Sequence, residues 1–390
     1  MKFKQLALPL MLSLASSSFS SLYAKEAKIE IKGRQVLVEN VAFVMNAVCY
    51  NPIRKGGRHP DGLLFKNPDA ESLEAIDNDF RLMREAGINT IRTYEAILDP
   101  KVLALVEKHE LYMIVPAFNW FDSSLRQVVN VVDTLKSNPR VLFWEIGNEW
   151  NYNAFYSSPR MKDETSKQVL HAAVSVIKTI DKTHPVSSVF GEIPSKELLA
   201  EFPDVDVWGI NIYSGLTFGK RFDAWRALSP KPMYLGEFGA DAFNSLIKAP
   251  DEASQALAVS SLVKELQANL SANDPTKVAI GGAVFEWNDE WWKDDKGSAD
   301  TQDNGGVAPG GGPFPDATFN EEWWGMVDMD RNVRPAYLEI KALWGKTPDP
   351  SVKPDAVQKP AVVVKPAAPT PTPVIPPVVA PTPAVAPPTN

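Results

Sequence analysis

Two glutamates, Glu149 and Glu237, have the sequence surroundings of a paired-carboxylate site. Glu149 follows Asn148 in the segment FWEIGNEW, and Glu237 lies in the segment YLGEFGA. Each comes after a short run of apolar and aromatic residues that is typical of a buried strand. Two carboxyl groups that face each other suit glycosidic bond cleavage, because one can protonate the leaving oxygen while the other attacks or stabilises the sugar cation.

The elements that must position these acids form a regular pattern between residues 25 and 347. Short β-branched or aromatic runs alternate there with helical patterns, which indicates a parallel sheet. The predicted strands span residues 43–50, 89–94, 111–118, 141–149, 185–191, 205–213, 232–238 and 278–287. The predicted helices begin near Glu71, Pro100, Asp122, Asp163, Ser195, Asp223, Asp251 and Arg334, several of them at an Asp or Ser that could cap the helix.

Eight such units predict an α/β fold, a closed (β/α)8 TIM barrel. An open doubly wound sheet is the alternative, but it would usually carry a Gly-rich phosphate loop, and the sequence has none. Residues 29–38 are expected to form a hairpin at the barrel floor, and residues 292–322 a long loop after strand eight. In such barrels the active site lies at the carboxyl ends of the strands, where both glutamates fall.

An Asn-Glu pair closing strand four and a Glu closing strand seven resemble the 4/7 superfamily (clan A) of retaining glycoside hydrolases. The resemblance covers most of residues 43–344. The text MREAGINTIRTY and the start AVCYNP are similar to β-1,3-glucanosyltransferases, and the strand-eight text VFEWND is similar to β-galactosidase-family barrels. The resemblance implies that Glu149 is the acid/base, that Glu237 is the nucleophile and that Asn148 holds the sugar 2-hydroxyl.

Further candidates for substrate binding end other strands. The resemblance implies that Arg92 lies near the nucleophile and that the hydroxyl of Tyr213 contacts it. It also implies that Trp287 forms the base of a sugar subsite. Indole rings stack on the C–H faces of sugars, and amides bond their hydroxyls. The full set of predicted substrate-binding residues is Arg92, Trp120, Asn148, Trp150, Asn211, Tyr213 and Trp287. A core role is the alternative for any single Trp.

Other residues near these positions are interpreted as structural. Glu145 is deeper in strand four and is expected to pair with an Arg. Tyr94 is expected only to shape the rim. Cys49 is expected to be a small buried hydrophobe, while Glu286 is an alternative for one catalytic role.

Both chain ends differ from the predicted barrel. Residues 1–24 have a positive start, an apolar run and a small-residue exit, which predict a cleaved signal peptide and a secreted or periplasmic protein. The apolar run is too short to span a bilayer, so we expect no membrane anchor after cleavage. Residues 348–390 hold 14 of the 33 prolines and are expected to be a disordered tail. The catalytic domain is thus predicted to span residues 25–347.

Composition excludes several classes of protein. A net charge of −8 and a pI near 5.3 argue against nucleic-acid binding, which needs a basic face. A single cysteine excludes an intramolecular disulfide framework. The four histidines lack metal-ligand spacing, so we expect no metal or other cofactor.

The combined prediction is a monomeric retaining β-glycosidase that acts on a polysaccharide or oligosaccharide, first of all a β-glucan. Hydrolysis and transglycosylation stay open, because the two share one covalent intermediate. β-Mannan and β-galactoside substrates are alternatives to a β-glucan. A non-catalytic carbohydrate-binding barrel is the alternative from another class, and a metal-dependent barrel enzyme is disfavoured by the lack of clustered ligands.

Overall fold

A computed structural model describes residues 28–118, 124–153, 163–293, 298, 301–302 and 312–345. The predicted signal peptide and the predicted Pro-rich tail both lie outside the described residues, as does part of the predicted loop after strand eight. Within the described residues, no helix is both long enough and apolar enough to cross a membrane.

The described chain begins with a small antiparallel sheet of three strands. They are β1 (Ile29–Lys32), β2 (Gln35–Val38) and β3 (Val41–Ala42). Ile29, Val36 and Val38 are buried in one cluster with residues of the barrel interior, including Met45 and Ile280. This hairpin therefore packs against the start of the barrel, as predicted.

Eight parallel strands then form a closed barrel in the described part of the chain. They are β4 (Met45–Cys49), β5 (Thr90–Arg92), β6 (Tyr112–Pro116), β7 (Val141–Glu145), β8 (Val186–Gly191), β9 (Val207–Asn211), β10 (Met233–Phe238) and β13 (Ala279–Val284). Each strand pairs with its sequence neighbour, and β13 closes the barrel by pairing with both β10 and β4. The predicted TIM barrel is confirmed, and all eight predicted strand regions contain one of these strands.

Helices alternate with the strands around the barrel. They are α1 (Ala70–Glu85), α2 (Pro100–Lys108), α3 (Leu125–Leu135), α4 (Trp150–Asn153), α5 (Asp163–Ile180), α6 (Lys196–Glu201), α7 (Arg221–Leu228), α8 (Glu252–Gln267) and α9 (Pro335–Trp344). Polar side chains cap several of them: Asp69 accepts from a backbone N–H of α1, Asp99 from two of α2 and Asp251 from one of α8. A short hairpin of β11 (Phe243–Asn244) and β12 (Ala249–Pro250) follows β10.

Six barrel strands end earlier than the sequence predicted, and two of them end three or four residues earlier. The fourth, β7, ends at Glu145, so Asn148 and Glu149 lie in the turn before α4. That turn contains two left-handed residues, Gly147 with φ 73° and Glu149 with φ 46°. The eighth, β13, ends at Val284. Side-chain direction beyond these points is set by the turns, because the two-residue alternation holds only within a strand.

Candidate active site

Glu237 lies at the carboxyl end of the seventh barrel strand and is surrounded by donors. The Arg92 Nη1 donates to its Oε1 at 2.8 Å, and the Tyr94 hydroxyl donates to the same oxygen at 2.7 Å. The Tyr213 hydroxyl donates to Oε2 at 2.9 Å. Only 6% of Glu237 is exposed, so these contacts are made away from bulk water. Both carboxylate oxygens are thereby held in a fixed orientation.

The surroundings of Glu237 favour its charged form. Burial by itself would raise the pKa of this carboxyl, but the positive charge of Arg92 and the hydrogen bonds from the two tyrosines and the guanidinium outweigh burial. The pKa of Glu237 is consequently lowered below its ordinary value. A buried, ionised and well-oriented carboxylate is the form that a nucleophile requires.

Arg92 connects three barrel strands through one guanidinium. Its Nε and Nη2 each donate to Glu145 at 2.8 Å, which makes a two-point ion pair at the end of β7. Tyr234 donates its hydroxyl to Glu145 at 2.9 Å. The prediction that Glu145 is a structural acid paired with an arginine is confirmed. The charge of Glu145 compensates part of the buried charge of Arg92. The two-point pair also fixes the orientation of the Arg92 Nη1 group, which donates to Glu237.

Asn148 and Asn211 join the acid side of the site to this network. Asn148 Oδ1 accepts from Arg92 Nη2 at 2.7 Å and from Asn211 Nδ2 at 3.1 Å. Asn211 has room because the residue before Glu237 is Gly236, where a Cβ would lie 2.5 Å from the Asn211 Oδ1. The glycine in YLGEFGA is therefore needed for the close approach of the asparagine that connects the two sides.

Glu149 has the opposite electrostatic environment to Glu237. Burial, and then the negative charge of Glu237, raise the pKa of Glu149 to about 7. A hydrogen bond with Asn211 and the positive charges of Arg92 and Lys293 act in the other direction but are weaker. Glu149 is thus largely protonated below about pH 7, while Glu237 is ionised there. One proton donor and one anionic nucleophile result from two residues of the same type.

An aromatic wall stands beside Glu237. Phe285 and Trp324 pack edge-on against the Tyr213 ring, with ring centroids 6.3 and 5.1 Å from it, and Phe319 packs against it at 5.0 Å. The Lys293 ammonium lies 4.7 Å from the Phe285 ring centroid. This wall fixes the tyrosine that donates to the nucleophile and brings one cation to the edge of the site.

Two of the predicted aromatic contacts are corrected by the structure. Trp287 is 0% exposed and packs edge-on against Tyr337 of α9, in the layer between strands and helices. Trp150 is also buried; its indole nitrogen donates to Ser188, and its ring packs against Phe190. Neither indole is placed to stack on a sugar, and the alternative core role applies to both. Trp120 lies outside the described residues.

Tyr94 is a site residue that the sequence reasoning missed. It was expected only to shape the rim, yet its hydroxyl donates to Glu237. It lies two residues after Arg92, so the alternation of a strand would place both side chains on the same face. Extending that alternation one step beyond the strand end would have found it. The prediction that Cys49 is a small buried residue is confirmed, since Cys49 is fully buried.

Glu286 does not have the surroundings of a catalytic anion. It is 1% exposed, and its pKa is raised by burial and by the negative charge of Glu290. A carboxyl that resists ionisation in this way is a poor nucleophile at neutral pH. The raised pKa of Glu286 disfavours it as the nucleophile, and its almost complete burial disfavours it as the proton donor.

Comparisons with known proteins find relatives and solved structures that are similar to this chain. No family model matches the chain. The β-glucuronidase of Rattus norvegicus is 26% identical over 196 residues, which cover 44% of this chain and 28% of that protein. The β-glucuronidase of Mus musculus is 25% identical over the same shares. The chain thus matches little more than a quarter of the length of these curated relatives.

Solved structures agree on the fold. The β-D-glucuronidase of Dictyoglomus thermophilum superposes with a TM-score of 0.57 at 18% identity, covering 83% of this chain and 54% of that one. A GH2 β-galacturonidase from Eisenbergiella tayi, bound to galacturonate, superposes with a TM-score of 0.57 at 16% identity, covering 82% and 54%. At these identities the likeness shows the shared barrel.

Proposed function

We propose that the chain is a glycoside hydrolase, a retaining β-glycosidase that works by double displacement. The single observation that carries this proposal is the set of three donors on the buried Glu237 carboxylate, which faces a Glu149 whose surroundings raise its pKa. Inverting enzymes also hold an acid and a base, but they keep the two carboxyl groups farther apart so that a water molecule fits between the base and the sugar. The three donors on Glu237 orient it for attack on carbon.

In the first step Glu237 attacks the anomeric carbon while the bond to the leaving oxygen breaks. Glu149 gives its proton to that oxygen, so the leaving group departs as a neutral alcohol. Formation of the glycosyl ester removes the charge of Glu237, and this lowers the pKa of Glu149. Now ionised, Glu149 takes a proton from water as the water attacks the anomeric carbon, and free Glu237 is regenerated. A sugar hydroxyl in place of water would give transglycosylation.

Asn148 is proposed to donate to the sugar 2-hydroxyl. Its Oδ1 already accepts from Arg92 and Asn211, which sets the rotation of its amide group. The amide nitrogen is then the group of Asn148 that is oriented away from these two donors. A hydrogen bond at the 2-hydroxyl strengthens as the sugar cation develops and so contributes to the transition state.

For the reacting sugar, we propose a β-linked hexuronic acid in place of the β-glucan expected from the sequence. The curated relatives and solved structures act on glucuronides and galacturonides, as their names state. In this chain Lys293 supplies a cation at the edge of the site, against Phe285 and close enough to Glu149 to lower its pKa. An ammonium group there would attract the sugar carboxylate.

A neutral β-glucoside or β-glucan is the second candidate, and one observation favours it. The Lys293 ammonium is already paired with Glu290 at 3.1 Å and with Glu321 at 2.9 Å. These two carboxylates compensate its charge and would repel a uronate unless they move. The two candidates therefore differ in whether Lys293 is available to the substrate.

A substrate panel separates the candidates. The enzyme is assayed on the 4-nitrophenyl β-glycosides of glucuronic acid, galacturonic acid, glucose, mannose and galactose and on laminarin, and the first-formed anomer is read by proton NMR. The proposal expects turnover of a uronide with a β-configured first product. Lys293→Met should raise KM for the uronide but not for a glucoside. Lys341→Met, which removes the exposed Lys341–Glu85 ion pair, is the matched control.

The outcomes are distinct. Turnover of glucoside and laminarin alone would move the substrate to the second candidate and leave the mechanism intact. An α-configured first product would overturn the retaining mechanism. Sugar binding with no turnover on any substrate would support the carbohydrate-binding barrel that the sequence left as an alternative.

A further inference from the structure

Tyr152 lies on the rim of the barrel, next to the proposed proton donor. It belongs to α4, the short helix that begins directly after Glu149, and its backbone N–H donates to the Glu149 carbonyl oxygen at 2.7 Å. Its side chain is 68% exposed, which is unusual for an aromatic residue so close to the catalytic carboxyls. An exposed ring at this place calls for an explanation.

The ring rests on a surface that is built to receive it. A Cβ on Gly191, at the end of the fifth barrel strand, would lie 2.3 Å from one ring carbon of Tyr152 and 2.8 Å from the next. Glycine is thus the residue that lets the ring lie against the strand end. Asn151 holds the same glycine from the side: its Nδ2 donates to the Gly191 carbonyl, and its Oδ1 accepts from the Gly191 N–H, both at 2.9 Å.

Charges confirm that the phenol is near the acid side of the site. The pKa of Tyr152 is raised by partial burial and then by the negative charges of Glu149 and Glu192. Glu192 is itself fixed by a two-point ion pair with Arg221. Tyr152 therefore lies between Glu149, the proposed proton donor, and Glu192. One side of its ring is against Gly191, and the rest of the ring is exposed.

We infer that Tyr152 is a stacking platform for a sugar ring on the leaving-group side of the scissile bond, so that the substrates are glycans and not glycosides of small alcohols. The proton donor must lie beside the leaving oxygen, so the leaving group must extend along the Glu149 side of the site. A flat, rigid aromatic face there suits the C–H face of a pyranose. The inference rests on the proposed β-glycosidase function and deepens it.

The test compares two substrates that differ only in the leaving group. One is the β-glycosyl fluoride of the sugar chosen by the panel, β-D-glucuronyl fluoride or β-D-glucosyl fluoride, which places no ring on the leaving-group side. The other is a disaccharide with the same sugar β-linked to glucose. Both report the glycosylation step through kcat/KM.

The ring is perturbed in two ways, with a conservative control. Tyr152→Ala removes it, and Gly191→Ala displaces it while leaving it present. Tyr152→Phe keeps the ring and removes only the hydroxyl. For Tyr152→Ala and Gly191→Ala we expect kcat/KM on the disaccharide to fall roughly 3- to 10-fold, the scale of one stacking contact. The same variants should act on the fluoride within about twofold of the wild type, and Tyr152→Phe should match the wild type on both.

Four results would overturn the inference. Equal losses on the fluoride and the disaccharide would mean that Tyr152 acts on the reacting sugar and not on the leaving group. Because fluoride departs without a proton from Glu149, a loss on the disaccharide alone that comes with a moved basic limb of its pH profile would mean that Tyr152 positions Glu149 and binds no sugar. Unchanged activity of Tyr152→Ala on both substrates would mean that the ring contacts no substrate. A wild-type enzyme that acts on neither substrate would overturn the proposed function and, with it, this inference.

Discussion

Replacing Tyr213 by Phe should change the ionisation of the nucleophile and little else. The hydroxyl of Tyr213 donates to Glu237 Oε2 at 2.9 Å, whereas Arg92 and Tyr94 both donate to Oε1. The substitution therefore leaves one carboxylate oxygen without its donor. The ring contacts with Phe285 and the rest of the aromatic wall are kept, because phenylalanine has the same ring.

The size of the effect follows from the type of hydrogen bond. A hydrogen bond to a charged group contributes about 1.5–3 kcal/mol, and one pKa unit corresponds to about 1.4 kcal/mol. Loss of the Tyr213 donor should thus raise the pKa of Glu237 by about one to two units. Because Glu237 must be ionised to attack, the acidic limb of the kcat/KM profile should move to higher pH by that amount.

The assay is kcat/KM against pH on a nitrophenyl glycoside of the best sugar. Tyr337→Phe is the matched control, since it removes a phenol hydroxyl that donates to the Leu82 carbonyl at 2.9 Å, far along the chain from the site. Its acidic limb should stay where the wild type has it. An unmoved limb in Tyr213→Phe, or an equal shift in the control, would refute the reasoning that these donors keep Glu237 charged.

Three more predictions concern Glu149 and Trp287. The basic limb of the kcat/KM profile should fall near pH 7, because Glu149 must be protonated and its pKa is raised to about 7. A basic limb above about pH 9 would contradict this prediction. Glu149→Ala should lose least on substrates with an acidic leaving group, and azide should restore turnover and yield a β-glycosyl azide; an α azide would reverse the two catalytic roles. Trp287→Ala should lower the free energy of unfolding by about 3–5 kcal/mol in urea titrations, since Trp287 is a core residue, and KM should not change. A large change in KM at unchanged stability would mean that Trp287 contacts the sugar.

The sequence was sufficient to predict the residues whose positions follow from strand periodicity. Glu237 and Arg92 lie in strands, where the eightfold pattern and the position at the strand end determine where a side chain goes. Tyr213, two residues past β9, continues the alternation of its strand and reaches Glu237 as expected.

Residues beyond a strand end were predicted less well, for a physical reason. Trp287 follows β13 by three residues, where its backbone bonds to Cys49 and Val327 outside the regular strand pairing, and its indole packs against a helix. Glu149 and Glu145 were assigned one continuous strand, but the left-handed residues Gly147 and Glu149 turn the chain between them. The position of Glu149 was predicted from the carboxyl end of that strand, and its role as the acid/base was predicted from the resemblance.

Local patterns also say little about contacts between distant segments. Trp324 joins the wall beside Tyr213 from a loop more than a hundred residues away, and Lys293 reaches Phe285 from the same loop region. Export, the monomeric state and the disordered tail stay predictions, as they depend on residues outside the described part of the chain or on other molecules.

The central claim, that Glu237 is the nucleophile of a retaining mechanism, is tested most directly by trapping the covalent intermediate. The enzyme is incubated with a 2-deoxy-2-fluoro-β-glycosyl fluoride of the best sugar, digested and mapped by mass spectrometry. A fluorine at carbon 2 destabilises the sugar cation in both steps, while fluoride leaves readily, so the intermediate accumulates. The account predicts one labelled peptide, with the sugar esterified to Glu237. A label on Glu149 or Glu286, or inversion of the product with no label at all, would contradict it.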